Sequence, residues 1–134
     1  MKRLLMFAIV VLALVAAACG DDDEATEGDG GTPIAATAAN FSFTPDLWTV
    51  GAGDEVTLTL TNTADQTHEW VIMRAPIASE AEFTEEGVMT EVEAEAGATA
   101  TLTFTAPAAG TYQIICGLEG HFNSGMVGEL VVTG

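Results

Sequence analysis

Val56-Thr57-Leu58-Thr59-Leu60-Thr61 alternates apolar and hydroxyl side chains one by one. Successive side chains of a β-strand point to opposite faces, so this run buries Val56, Leu58 and Leu60 and turns its threonines to water. The alternation recurs where Leu102 and Phe104 stand between Thr101, Thr103 and Thr105. Further apolar, β-branched runs occupy 40–43, 70–73, 112–116 and 127–132. Turn-forming stretches separate them: Gly51-Ala52-Gly53-Asp54, 62–66, 107–110 and 117–125. Seven to eight short strands with alternating faces predict an all-β fold, a β-sandwich, from residue 35 onward. No strand repeats another closely enough to indicate duplication. Segment 79–97 departs from the pattern. It holds seven glutamates with scattered Phe83, Val88 and Met89, and reads as a short helix or a long acidic loop between sheets.

Upstream of the sandwich the chain has a different logic. Residues 1–18 read as an export signal: Lys2 and Arg3 supply positive charge, 4–15 is an apolar run, and Ala16, Ala17 and Ala18 suit a cleavage site. The run is too short to span a bilayer comfortably as a permanent helix. Cys19 follows at once, and this arrangement resembles the lipobox of bacterial lipoproteins, with Ala16 where that motif usually has Leu. The resemblance implies that Cys19 is acylated, becomes the new N-terminus and anchors the protein stably through several acyl chains. Residues 20–32 contain no bulky apolar side chain and cannot bury enough surface to order themselves. They read as a flexible tether. The expected organisation is a signal peptide over 1–18, an anchor cysteine with its acidic tether over 19–34, and a folded domain over 35–134.

Charge excludes one class of function. Twenty acidic residues face only Lys2, Arg3 and Arg74, for a net charge of −17. Once the leader is removed, Arg74 is the sole Lys or Arg, so nucleic-acid binding, which needs cationic contacts to phosphate, is ruled out. The acidity fits a basic partner surface reached by long-range attraction, and equally fits simple solubility. A disulfide between Cys19 and Cys116 is the default for an exported chain, but each cysteine has a better explanation.

The chemistry concentrates in Cys116-Gly-Leu-Glu-Gly-His121-Phe-Asn-Ser-Gly-Met126, spaced C-x4-H-x4-M. Copper that shuttles between Cu(I) and Cu(II) is satisfied by a thiolate and imidazoles, with a weak thioether as axial donor. One loop offers three such ligands. Gly117 and Gly120 permit tight turns that return His121 toward the sulfur, and Gly125 turns Met126 inward. The second imidazole must be His68, the only other histidine. It follows the polar turn 62–67 and starts a strand, a position that a sandwich can place at the same end as the 116–126 loop. Two further methionines stay open as ligands: Met73, in a strand and better read as core packing, and Met89, in the acidic segment. Trp48, Trp70 and Tyr112 read as core aromatics. No serine–histidine–acid set exists without using a proposed copper ligand, which argues against an enzyme.

Residues 40–45 (Asn-Phe-Ser-Phe-Thr-Pro), 50–54 (Val-Gly-Ala-Gly-Asp), 61–68 (Thr-Asn-Thr-Ala-Asp-Gln-Thr-His) and Cys116…Gly120-His121…Gly125-Met126-Val127-Gly128 together resemble the plastocyanin/azurin cupredoxin family. The resemblance covers almost all of the chain from residue 35. It implies a Greek-key β-sandwich, one type 1 (blue) copper ion on His68, Cys116, His121 and Met126, and one-electron transfer. A type 1 site is closed to substrate, and a binuclear copper centre would need a second cysteine in the loop. The implied partners are redox proteins such as cytochromes or copper oxidases and reductases on the outer, extracytoplasmic side of a membrane. The His121 edge, with Leu118 and Phe122 beside it, is the expected exit for the electron. Copper delivery, or a copper-free interaction module on the same scaffold, are the alternatives. Many members carry Asn after the first histidine. Here it is Glu69, and such neighbours tune a metal.

Overall fold

Nine β-strands and no α-helix make up residues 31–134, the part of the chain that the computed structural model describes. In order they are β1 (Thr32–Ala39), β2 (Ser42–Thr44), β3 (Leu47–Gly51), β4 (Glu55–Asn62), β5 (His68–Met73), β6 (Val88–Ala94), β7 (Thr99–Thr105), β8 (Gly110–Ile115) and β9 (Val127–Thr133). They form a four-stranded sheet, β2-β1-β4-β7, and a five-stranded sheet, β3-β9-β8-β5-β6. The chain crosses repeatedly between the two, which makes a Greek-key sandwich. β1 lies parallel to β4 and β3 parallel to β9, while the other neighbours are antiparallel.

The all-β sandwich is the fold that the alternation predicts. On β4, Val56, Leu58 and Leu60 are fully buried and their threonine neighbours are partly exposed. Three expectations need correction. The strands number nine rather than seven to eight, and the strand that 79–97 conceals is β6. Glu91 and Glu93 point out from β6 while Val92 and Ala94 point in, so period two is present but carried by glutamates, which strands seldom use. Ahead of it lie two single 3-10 turns, Glu80–Glu82 and Glu85–Gly87, in place of a helix. Second, β1 begins at Thr32, inside the stretch read as tether, because the main chain of 32–34 pairs with Val56–Leu58 of β4 whatever its side chains bury. Third, Asn40 and Phe41 form the turn between β1 and β2 rather than the start of a strand. The export signal, Cys19 and most of the tether lie outside the described residues.

The main core fills the space between the sheets. Trp48 and Trp70 meet edge to face at 5.5 Å, and the Trp48 indole N–H donates to the Ala35 carbonyl at 2.9 Å, tying β3 of one sheet to β1 of the other. A second, smaller cluster lies on the opposite face of the five-stranded sheet. There Val71, Met73 and Ile115 are buried beneath Ile77, Phe83, Val88 and Phe122.

Candidate metal centre

The turn between β4 and β5 is held from within by one buried side chain. The Asn62 amide shares its hydrogens among the carbonyls of Gln66 (2.8 Å), Ala94 (2.9 Å) and Glu95 (3.1 Å), and its oxygen accepts from the Ala64 N–H (3.0 Å). Both amide hydrogens and the amide oxygen thus have partners, which burial of the side chain demands. The turn delivers His68 as the first residue of β5, with no solvent exposure. β5 runs antiparallel to β8, with Val71 opposite Ile115. The start of β5 therefore lies beside the end of β8, where Cys116 follows.

Cys116 opens a loop that closes on itself. Its N–H donates to the Met126 carbonyl (3.1 Å), the Met126 N–H to the His121 carbonyl (3.1 Å), and the His121 N–H to the Leu118 carbonyl (3.0 Å). Gly120 (φ 83°) and Gly125 (φ 94°) occupy the left-handed region that side chains avoid, as the turns require. Gly117 has a different reason to be glycine. A Cβ there would stand 2.8 Å from Glu69 Oε2 and 2.9 Å from Phe83 Cζ. Close approach, not turn geometry, sets that position.

Three donor atoms converge in the buried space so formed. His68 Nδ1 lies 3.1 Å from His121 Nδ1, and Cys116 Sγ lies 3.2 Å from His121 Nδ1 and 4.0 Å from His68 Nδ1. Among the described residues this is the one group of three or more donors placed to hold a metal ion. The set fits such an ion. Two facing imidazole nitrogens and a sulfur satisfy one another poorly, because a neutral ring has a single N–H to give. A cation among them uses all three lone pairs. Donors at about 2.0–2.3 Å from a shared centre stand roughly 3.5–3.7 Å apart in a plane, close to the spacing seen. Two imidazoles and a thiolate, with a distant thioether, are the donors of blue copper. Met126 is fully buried in the same core cluster as Cys116. Met73 faces the other side of β5, in the second cluster, and Met89 packs at the margin of the main core.

The electrostatics favour the uncharged forms of His68 and Cys116. Burial pushes the His68 imidazolium pKa down, and His121 pushes it further. Burial pushes the Cys116 thiol up. The N–H groups of Glu69 and Leu118 work against that rise, and the carboxylates of Glu69 and Glu80 add to it. A metal reverses the balance at sulfur, since a coordinated thiol gives up its proton.

Three contributors escape a reading of the sequence. Asn62 appears there only as a turn residue. Phe41 carries φ 58°, rare for an aromatic, and meets the His121 ring edge to face at 5.2 Å while 37% exposed. Glu80 accepts a hydrogen bond from the Gly120 N–H at 2.7 Å. Only the positive φ has a sequence correlate in principle, and Asn-Phe does not advertise it.

Comparison with known proteins places this arrangement. Residues 5–132 match the model of the family described as Cupredoxin-like domain. Auracyanin-A of Chloroflexus aurantiacus is 29% identical, with 98% of this chain and 97% of the relative covered. The structure of dithionite-reduced auracyanin from the photosynthetic bacterium Roseiflexus castenholzii is similar at a TM-score of 0.69 and 26% identity, over 78% of this chain and 99% of that one. Auracyanin A, described as a "blue" copper protein from the green thermophilic photosynthetic bacterium Chloroflexus aurantiacus, is similar at a TM-score of 0.62 and 29% identity, over 75% and 99% of the two chains.

Proposed function

The chain belongs to the cupredoxin-like domain family, and from that premise we propose that it is a blue-copper electron carrier whose copper ligands are His68, Cys116, His121 and Met126. The observation that carries this reading is the buried triangle of two imidazole nitrogens and one sulfur, 3.1–4.0 Å apart. A relative 29% identical that is described as a "blue" copper protein supports the choice of metal. Bound copper supplies a one-electron Cu(II)/Cu(I) couple.

The protein's part is to hold the donors still. His68 is fixed by the Asn62 turn, Cys116 by the Glu69 N–H, which reaches its sulfur at 3.3 Å, and Met126 by its main-chain bonds to Cys116 and His121. A frame of this kind keeps nearly the same geometry before and after an electron arrives, so little rearrangement opposes transfer. His68 and Cys116 have no solvent exposure and His121 has 8%. The centre is therefore closed to substrate, which suits a carrier rather than an enzyme. Its route to a partner is the His121 edge, flanked by Phe41. The acidic chain favours redox partners with basic docking surfaces, such as cytochromes or copper oxidases and reductases. Export by residues 1–18, acylation of Cys19 and the tether that follows hold the domain at the outer face of a membrane.

The test is a visible and paramagnetic-resonance spectrum of the protein with one equivalent of copper. An intense thiolate-to-Cu(II) band is expected, and Cys116→Ser abolishes it. If the wild-type protein binds copper without that band, the blue-copper reading is wrong.

A further inference from the structure

The acidic segment after β5 has no part in ligating the metal, yet it is built against the ligand loop. From the 3-10 turn Glu80–Glu82, the Glu80 carboxylate accepts from the Gly120 N–H at 2.7 Å and, more weakly, from the Asn123 N–H at 3.4 Å. The next residue after that turn, Phe83, enters the second cluster with Phe122 and Ile115. From β5, Glu69 presses on the other end of the loop. Its carboxylate lies against Gly117, and its own N–H donates to Cys116 Sγ at 3.3 Å. A Cβ on Gly117 would strike both the Glu69 carboxylate and the Phe83 ring, so the three parts are in close contact.

We infer that Glu69 and Glu80 form a two-carboxylate bracket that seats the 116–126 loop and biases the centre toward the more highly charged copper ion. The inference rests on the copper reading above. Seating follows from geometry. The loop presents the Gly120 and Asn123 amides to Glu80, and hydrogen bonds to an ionised acceptor are roughly twice as strong as neutral ones. The bias follows from Coulomb's law. Cu(II) differs from Cu(I) by one positive charge, and a fixed negative charge nearby lowers the energy of the oxidised form relative to the reduced one. A neutral Gln offers only one acceptor oxygen, so it would seat the loop less firmly and would carry no such bias. Glu69 and Glu80 are thus positioning residues acting through the loop, and their charge adds an effect on the reduction potential.

The experiment compares Glu80→Gln and Glu69→Gln with Glu86→Gln, which removes the same charge from an exposed position on the same segment. Two quantities are read: amide hydrogen exchange of Gly117, Gly120 and Asn123 in the metal-free protein, and the midpoint potential with copper bound. A glutamine at 80 turns one N–H toward the loop where two acceptors stood. The Asn123 amide should then exchange about tenfold faster, the size expected from losing one charge-assisted hydrogen bond. Glu69→Gln and Glu80→Gln should each raise the potential by about 30 mV or more, a threefold shift in the ratio of Cu(I) to Cu(II) affinity at 59 mV per tenfold. Glu86→Gln should move both readouts far less. The inference is overturned if Glu80→Gln leaves the loop amides as protected as in the wild type, or shifts the potential no more than Glu86→Gln does. If no blue copper forms at all, the copper reading has failed and the charge bias falls with it. Exchange in the metal-free protein then still decides whether the bracket seats the loop.

Discussion

Strand β5 serves two regions with alternate residues, and the regions are organised differently. Inward, His68, Trp70 and Ile72 join a core packed from both sheets. Outward, Val71 and Met73 meet only Ile115 and the cover formed by Ile77, Phe83, Val88 and Phe122, while Glu69 lies among other glutamates. The inner face holds the donors by packing against residues far apart in sequence. The outer face holds the ligand loop by a thin layer of surface chain and by the carboxylates of Glu69 on β5 and Glu80 on that segment. Donor placement and loop seating are therefore separable, and substitutions on the two faces should differ in kind as well as size.

The largest difference is expected between Trp70→Ala and Met73→Ala. Trp70 is fully buried and packs edge to face on Trp48 at the centre of the sandwich. Its loss should cost about 3–5 kcal/mol of unfolding free energy, transfer and cavity together. Met73 is almost as buried, but its cover is the surface segment that carries Ile77, Phe83 and Val88, with Phe122 of the ligand loop, and this thin layer can settle into the space. That cost should lie near the lower end of the range for such truncations, about 2 kcal/mol. Denaturant titration of the metal-free proteins gives both values. Equal costs would show that the outer cluster is as rigidly framed as the core and that the two faces do not differ in this respect.

The same contrast explains what the sequence revealed. Inner-face residues follow period two with apolar partners, so Val56, Leu58, Leu60 and the strands around them are legible, and so is the Cys116–Met126 spacing. His68 was legible because the chain has only two histidines. The outer face was not. β6 alternates only over 91–94, after a register shift at Met89, and with Glu91 and Glu93 as its polar half; glutamate argues against a strand until one sees that β6 is an edge. Glu80 acts through side chain-to-backbone bonds across 40 residues of chain, which no local pattern records. Asn62 is legible as a turn residue, but its bonds to the end of β6 depend on a strand that was itself hidden.

Asn62 gives a smaller but more pointed test of the inner frame. Asn62→Ala strands the carbonyls of Gln66, Ala94 and Glu95 and the Ala64 N–H, a loss of about 1–2 kcal/mol given that part of the turn reaches water. Asn62→Asp should cost more than Asn62→Ala despite its closer shape, because an ionised carboxylate would face three carbonyl oxygens. If Asp is tolerated better than Ala, the amide does not hold the turn in the way its hydrogen bonds indicate. Because this turn presents His68, both variants should also release copper faster, measured by transfer to a chelator.

The smallest effect should come from the outer face, and it should have the opposite sign. Glu93 on β6 lies directly opposite Glu69 on β5, and like charges in that register repel. Glu69 already sits above the usual carboxylate range, chiefly through burial, with Glu91, Glu93 and Glu85 pushing it further. Glu93→Gln removes one of those repulsions without touching the core, so it should stabilise the fold slightly, by no more than about 0.5 kcal/mol. Its origin is charge, and salt must erase it. The gain should be present at low ionic strength and gone near 1 M salt, where the screening length falls to about 3 Å. A gain that survives high salt would mean that Gln packs better than Glu at this edge. The outer face would then be governed, like the inner one, by packing rather than by its carboxylates.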